Sequence, residues 1–229
     1  MLAAIQLYGP GHLGVLALLL FITALLIRRC RKGEHLPRAR AALGLLTFCC
    51  FAAYPINQMA YQGSIDDIKL EAIVPLHLCD IAAFICGFAL ITRKPLLCEL
   101  AYFWGLAGTL QGLLTPNLAY DFPHPVFLAF FLHHGVIVTT ALVLPLGLGW
   151  RPAKGAMKRT FLLLLAYAAM AMTINWLLDT NYGFLAAKPT EASLLDLMPA
   201  WPWYIPVLIG LGLVIFTLLS LPFRRCSQN

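Results

Sequence analysis

Seven long apolar stretches dominate the sequence and leave little alternative to a bundle of membrane-spanning helices. They cover about residues 12–27, 41–61, 74–91, 96–115, 126–148, 160–179 and 204–222. Each is close to the roughly 20 residues that a helix needs to cross about 30 Å of hydrocarbon. Only 11% of the residues are charged, against about 25% in a globular domain. The sequence therefore predicts one all-α domain of seven transmembrane helices.

Basic residues are confined to alternate loops between these stretches. Of the 16 Lys and Arg residues, all but Lys69 and Lys188 follow the first, third, fifth or seventh stretch. The positive-inside rule places those loops in the cytoplasm, so we predict an external N-terminus and a cytoplasmic C-terminus. The net charge of +6 therefore indicates topology and not a nucleic-acid partner. We expect a multi-pass protein of the cell membrane, in a bacterium the inner membrane.

The stretch at residues 75–80, PLHLCD, carries three reactive side chains where hydrocarbon is expected: His77, Cys79 and Asp80. An Asp at mid-membrane costs roughly 2.5–3.5 kcal/mol, so it normally faces protein or water. On a helix, His77 and Asp80 share a face, because they are three residues apart. Cys79 lies about 200° round from His77 on the same helix. We therefore do not expect His77 and Cys79 to face one cavity equally well.

Other polar residues are predicted at the same depth, in the outer half of the bilayer. With PLHLCD they come from five stretches, and the further members are Asn57, Gln111, His133, His134, Asn175 and Asp179. Adjacent residues differ by about 100° on a helix, so we expect only one of His133 and His134 to face the core. Glu99 lies near the predicted cytoplasmic end, where Arg93 or Lys94 is its expected partner.

Two interpretations of these residues remain open. Asn57, Gln111 and Asn175 each fit interhelical hydrogen bonding, which stabilises membrane bundles by about 0.6 kcal/mol per bond. Ionisable groups are not needed for that purpose, so Asp80 with the histidines indicates either a functional cavity or a structural buried cluster. Cys79 is either a nucleophile whose thiolate is made by a nearby histidine, or a small apolar filler.

Five motifs together resemble a known family. They are PLHLCDIAAF (75–84), YFWGLAGTLQGLLTPNL (102–118), FPHPVFLAFFLHHG (122–135), TNYGFLAAKP (180–189) and PAWPWY (199–204). The combination resembles the YwaF-type bacterial integral membrane proteins, which are grouped with the eukaryotic transmembrane protein 164 family. The resemblance implies a seven-span fold. It also implies lipid chemistry, since the eukaryotic relatives are described as acyltransferases that remodel membrane phospholipids through an intramembrane Cys and His.

The resemblance also implies roles for particular residues. The histidine matches the HHG of the fifth stretch, which is His133 or His134. The cysteine is Cys79, unless the family cysteine directly precedes the histidine of the third stretch, where this chain has Leu76. Trp104 and Tyr182, within the shared motifs, become candidate substrate-binding residues.

Two functions from different classes follow. The first is an acyltransferase or hydrolase acting on membrane phospholipids. In this function a histidine of the fifth stretch is the general base and Cys79 is the nucleophile. Asp80 or Asp179 orients the imidazole, and His77 is a further catalytic candidate beside them. Gln111 and Asn175 would donate hydrogen bonds to the oxyanion, with Asn57 nearby.

The second function is a small-solute or proton-coupled transporter, or a non-catalytic lipid-binding protein, with the same cavity. A transporter needs polar groups that lead to the cytoplasmic side. The inner halves of the stretches offer few, of which Glu99 is the strongest candidate. A one-sided cavity fits an enzyme or a binding protein better than a transporter, and of these we favour the enzyme. No cofactor or metal ion is expected, although two histidines and an Asp could in principle hold zinc.

Overall fold

The computed structural model describes residues 5–33, 36–61, 70–189 and 193–224, so Lys69 lies outside the described residues. All regular secondary structure in these ranges is helical. The α-helices are α1 (Pro10–Arg31), α2 (Leu36–Tyr61), α3 (Leu70–Ile73), α4 (Leu78–Thr92), α5 (Pro95–Trp104), α6 (Leu110–Leu114), α7 (Pro125–Leu146), α8 (Ala156–Leu178) and α9 (Tyr204–Arg224). Two 3₁₀ turns, Tyr182–Phe184 and Leu194–Leu197, lie between α8 and α9.

Within the described ranges, seven helical segments run through the bundle. The π-helical Gly105–Thr109 joins α5 to α6 without a break, so these three elements form one segment, and α3 is too short to count. Helices α1, α2, α7, α8 and α9 are each long and apolar enough to span a membrane, by length and composition. The shorter α4 is also apolar. The prediction of an all-α bundle with seven helices is confirmed.

Helix α7 is the central helix of the bundle. It packs against α1, α2, α4 and α5, and most of its residues are buried. Close contact with α1 is possible because of Gly135, where a Cβ atom would lie 2.6 Å from Leu19. Small residues at such contacts let membrane helices approach closely. A side chain on almost any face of α7 therefore points into protein.

The start of α4 differs from the prediction. The third stretch was expected to be helical from Val74, but α4 begins at Leu78, and His77 is its extended N-cap residue. Asp80 fixes this start, because its Oδ2 accepts a hydrogen bond from the His77 backbone N–H at 3.1 Å. A carboxylate in the first turn satisfies an amide that the helix itself leaves unpaired. His77 and Asp80 therefore do not share a helix face.

Glu99 pairs with a residue that the sequence did not indicate. Its carboxylate is fully buried on α5, and its Oε2 accepts hydrogen bonds from Nη2 of Arg159 at 2.6 Å and from Nε at 3.1 Å. The expected pairing with Arg93 or Lys94 is therefore corrected. Oε1 also accepts a hydrogen bond from the Ala153 N–H at 3.4 Å. The contact ties α5 to the start of α8.

Replacing Arg159 by Met should destabilise the fold by about 2–3 kcal/mol, since it leaves the Glu99 carboxylate buried without its cation. The expected loss is below that of a fully buried pair because the Arg159 side chain is 45% exposed. Thermal unfolding in detergent measures the change. Exposed Lys158, the preceding residue on α8, provides the matched control Lys158→Met. Equal losses in the two variants would show that the pair is unimportant.

Candidate functional site

Cys79, Asp80 and His133 meet where α4 packs against α7. The sulfur of Cys79, a carboxylate oxygen of Asp80 and a ring nitrogen of His133 lie within 4.8 Å of one another. Asp80 and His133 are buried, whereas Cys79 is half-buried and is the most accessible of the three. The expectation that His77 and Cys79 do not face one cavity equally well agrees with this cluster, which contains Cys79 but not His77. Its premise of a helix through His77 was wrong, because the helix begins only after that residue.

Asp80 links the helix start to the cluster. While Oδ2 caps α4, Oδ1 lies 3.4 Å from Nε2 of His133. Within the described part of the chain, neither Oδ1 nor either ring nitrogen of His133 has a hydrogen-bond partner. A buried polar group left unpaired costs about 1–3 kcal/mol, and native structures hold few of them. The cluster therefore has capacity for a bound group.

Tyr54 of α2 holds the His133 ring from another side. The two rings stack with centroids 4.6 Å apart and planes 17° from parallel. The sequence analysis missed Tyr54, because one aromatic residue in an apolar stretch resembles any other. A signal was present in Asn57, three residues further along α2, since residues at that spacing share a face. The oxygen of the Asn57 amide is buried and, among the described residues, unpaired.

His134 is also buried, contrary to the expectation that only one histidine of the pair faces the core. Its Nδ1 lies 2.9 Å from the Phe130 carbonyl oxygen, which can only accept, so Nδ1 carries the proton. The ring stacks on Phe130 with centroids 4.0 Å apart and packs against Gly112 of α6. Both histidines are internal because α7 is surrounded by other helices. His134 packs beside the cluster, and its ring centroid is 5.3 Å from that of His133.

His77 faces the loop after α8 instead of the histidines of α7. Its Nδ1 accepts a hydrogen bond from the Gly183 N–H at 3.3 Å, and its ring lies edge-on to Tyr182. Asn175 fixes the same loop. The Asn175 amide donates to the carbonyl of Tyr182 at 3.0 Å and accepts from its N–H at 2.7 Å. Asn175 therefore shapes the loop that covers His77.

The Tyr182 side chain lies beneath this loop. It is 1% exposed, and its hydroxyl has no hydrogen-bond partner among residues whose positions are described. Burial raises the pKa of the Tyr182 phenol, and the nearby carboxylates of Glu71 and Asp80 raise it further. The phenol therefore stays protonated at neutral pH, so its hydroxyl can donate a hydrogen bond.

The remaining predicted site residues are not members of the group formed by Cys79, Asp80 and His133. Trp104 donates its ring N–H to the Thr160 carbonyl at 3.1 Å, which joins α5 to α8. Asp179 is exposed and ends α8 in a left-handed conformation. Gln111 is half-buried on α6. Leu76, the alternative counterpart of the family cysteine, accepts a hydrogen bond at its carbonyl from Tyr167.

These features define a multi-pass helical membrane protein with a Cys–Asp–His cluster between two of its helices, in which the Asp and the His are buried. The chain belongs to the TMEM164 family, whose match covers residues 7–220. It is 25% identical over 230 residues to an uncharacterized protein of Treponema pallidum (strain Nichols), across 97% of this chain and 91% of that protein. No solved structure matches the chain. The predicted grouping with the transmembrane protein 164 family is confirmed.

Replacing Gly112 by Ala should disturb the site, because the new Cβ would lie 2.7 Å from Cδ2 of His134. The ring has to move, and overpacking of this kind costs about 1–3 kcal/mol. Gly14→Ala on α1 is the control, since no atom lies within 4 Å of its added Cβ. Thermal unfolding should show a loss only for Gly112→Ala. A loss of the same size in Gly14→Ala would mean that the His134 contact does not matter.

Proposed function

We propose that the protein transfers or hydrolyses acyl chains of membrane phospholipids, with Cys79 as nucleophile, His133 as general base and Asp80 as the group that orients the imidazole. The observation that supports it is the approach of these three groups to within 4.8 Å of one another in the interior of a membrane protein. A nucleophile, a base within reach and a third group that orients the base form the arrangement used for covalent acyl transfer. The resemblance to proteins described as phospholipid acyltransferases points to the same chemistry.

The first half-reaction would make a thioester. His133 takes the proton of the Cys79 thiol, and the sulfur attacks the carbonyl carbon of a phospholipid ester. The ester C–O bond then breaks, and His133 returns the proton to the oxygen of the departing lysophospholipid. The acyl chain is left on the sulfur of Cys79.

The second half-reaction would release the acyl chain. The hydroxyl of a lysophospholipid, or of water, gives its proton to His133 and attacks the thioester carbonyl. The C–S bond breaks, and the thiolate recovers the proton from His133. A lysophospholipid acceptor gives a remodelled phospholipid, whereas water gives a free fatty acid. The acceptor therefore determines whether the reaction is an acyl transfer or a hydrolysis.

Asp80 would stabilise the charge that forms on His133. When the imidazole accepts a proton it becomes a cation, and the Oδ1 oxygen 3.4 Å from its Nε2 is in place to balance it. The Tyr54 ring stacked on the imidazole keeps it from rotating away. The second ring nitrogen of His133, which has no partner in the described chain, is then available for the thiol proton.

Tyr182 is the donor that we propose for the oxyanion. Its phenol is buried and unpaired within the described structure, and its ring lies edge-on to His77, whose backbone N–H is hydrogen-bonded to Asp80. A donor held in a dry site in advance stabilises developing negative charge without reorganising. Gln111 remains a proposed contact for the lipid. Asn175 is a positioning residue in this scheme, since it acts through the loop that carries Tyr182.

The contacts of Glu99 weaken the alternative that the protein is a transporter. Glu99 was the strongest candidate for a polar path to the inner side, and its carboxylate is occupied by Arg159 and the Ala153 N–H. A structural role for Glu99 leaves the polar cluster one-sided, as an enzyme or a binding protein needs.

The charge pattern supports a proposed orientation with the N-terminus outside. A C-terminal fusion should then place alkaline phosphatase on the cytoplasmic side, where it is inactive, and a fluorescent protein in the same position should mature and fluoresce. The matched control carries the same reporters after residue 33, in the first basic loop, where the same result is expected. Phosphatase activity at the C-terminus would overturn the orientation.

Covalent catalysis predicts an acyl adduct on the purified protein. A fatty-acyl thioester or a phospholipid should add one acyl mass per chain, detected by intact-mass spectrometry, and Cys79→Ala should abolish the adduct. His133→Ala should slow its formation about 100-fold or more, as expected for loss of a general base. The control is Cys86→Ala, since Cys86 is also buried on α4 and its thiol faces the Ile137 carbonyl.

Size-exclusion chromatography of each variant would establish that it is folded. An adduct that persists in Cys79→Ala, or that disappears equally in Cys86→Ala, would exclude Cys79 as the nucleophile. A folded wild-type protein that forms no adduct and leaves phospholipids unchanged would overturn the proposed function.

A further inference from the structure

We propose that Cys79, Asp80 and His133 form a three-ligand site for Zn²⁺, and that the bound ion inhibits the acyl chemistry of the same residues. The inhibitory part rests on the proposed function, whereas metal binding does not. The three side chains supply a sulfur, a carboxylate oxygen and an imidazole nitrogen within 4.8 Å of one another. These are the three ligand types that proteins use for zinc.

The distances fit a tetrahedral ion after a small movement. Zinc bonds of about 2.3 Å to sulfur and about 2.0–2.2 Å to nitrogen and oxygen place neighbouring ligand atoms about 3.4–3.6 Å apart. Oδ1 of Asp80 and Nε2 of His133 are already 3.4 Å apart. The Cys79 sulfur lies no more than 4.8 Å from the other two ligand atoms, so a change of side-chain torsion has to bring it at most about 1 Å closer.

The unpaired atoms of the cluster favour an occupant. Among residues that the structure describes, Oδ1 of Asp80 and both ring nitrogens of His133 are buried without a hydrogen-bond partner. One cation would contact Oδ1 and a ring nitrogen together. Unpaired buried polar groups in native proteins often mark the place of an ion or a water molecule.

Charge selects the kind of ion. A thiolate and a carboxylate together carry two negative charges, which one divalent cation neutralises while His133 stays neutral. An uncharged complex avoids most of the cost of placing ions at membrane depth. Ca²⁺ and Mg²⁺ prefer oxygen ligands, so the sulfur and nitrogen of this site select zinc and similar transition metals.

Inhibition follows from the shared atoms. A Cys79 sulfur bound to zinc has its electron pair in the metal bond. With Nε2 on the zinc, neutral His133 carries its proton on Nδ1, so that nitrogen cannot take the thiol proton. Binding releases the thiol proton, so the affinity should fall as the pH decreases. Three protein ligands leave the fourth position of the ion to water.

Cobalt provides a direct readout that does not depend on activity. Tag-free, full-length protein in detergent would be treated with a chelator, dialysed and titrated with Co²⁺. We expect one Co²⁺ per chain, with the visible absorption of a tetrahedral ion and a thiolate-to-cobalt charge-transfer band, both displaced by Zn²⁺ but not by Mg²⁺. No charge-transfer band would overturn the proposal.

Variants assign the site. Cys79→Ala should remove the charge-transfer band, and Cys86→Ala should keep it. Asp80→Asn should weaken binding at least tenfold and still fold, because its amide oxygen can accept the capping hydrogen bond from the His77 N–H. A band that is unchanged in Cys79→Ala would place the metal elsewhere and overturn the assignment.

Acyl-adduct formation by the same preparation separates this proposal from the proposed function. At a Zn²⁺ concentration ten times the measured Kd the adduct rate should fall about tenfold, because about nine sites in ten are occupied. A chelator should restore the rate. An adduct rate insensitive to bound zinc would overturn the inhibition. Stoichiometric Co²⁺ binding by a protein that forms no adduct even after chelation would support the metal site and overturn the acyl chemistry.

Discussion

The carboxylate of Asp80 is the interaction on which both the fold of α4 and the candidate site depend. One oxygen accepts the His77 N–H and fixes where the helix begins, and the other faces the His133 imidazole. The helix start in turn places Cys79 beside the same imidazole. A buried carboxylate is expensive at membrane depth, and here its cost is offset by hydrogen bonding on one side and a basic ring on the other. Site and local fold are therefore coupled through one side chain.

The central position of α7 explains why two adjacent histidines are both internal. A helix with one lipid-facing side could bury only one of them, whereas α7 has neighbours around most of its circumference. His133 then meets α2 and α4, and His134 packs on Gly112 of α6. The two rings therefore differ in their surroundings. His133 faces ionisable groups, whereas Nδ1 of His134 is hydrogen-bonded to a carbonyl of its own helix. Of the two rings, His133 is the one with a nitrogen within 4.8 Å of the Cys79 sulfur and an Asp80 oxygen.

The sequence predicted the helices well because membrane thickness and backbone hydrogen bonding leave few alternatives to apolar helices of about 20 residues. The contacts between helices were harder to predict from the sequence. The Glu99–Arg159 pair joins residues 60 positions apart, and nothing in the sequence shows that α5 lies beside α8. The start of α4 depends on a capping bond that periodicity does not reveal. Tyr54 became part of the site only through the packing of α2 on α7.

The two roles proposed for Cys79, nucleophile and metal ligand, depend on the same state of its thiol. Both need the thiolate, and at membrane depth a thiolate requires a nearby positive charge. In the proposed mechanism, proton transfer to His133 would provide that charge as an imidazolium beside Asp80, and in the proposed metal site a divalent cation would provide it directly. The two occupants compete for the same atoms, because a ring nitrogen cannot hold a proton and a metal at once. The negative charges of Asp80 and the Cys79 thiolate that would stabilise an imidazolium would therefore also stabilise a zinc ion.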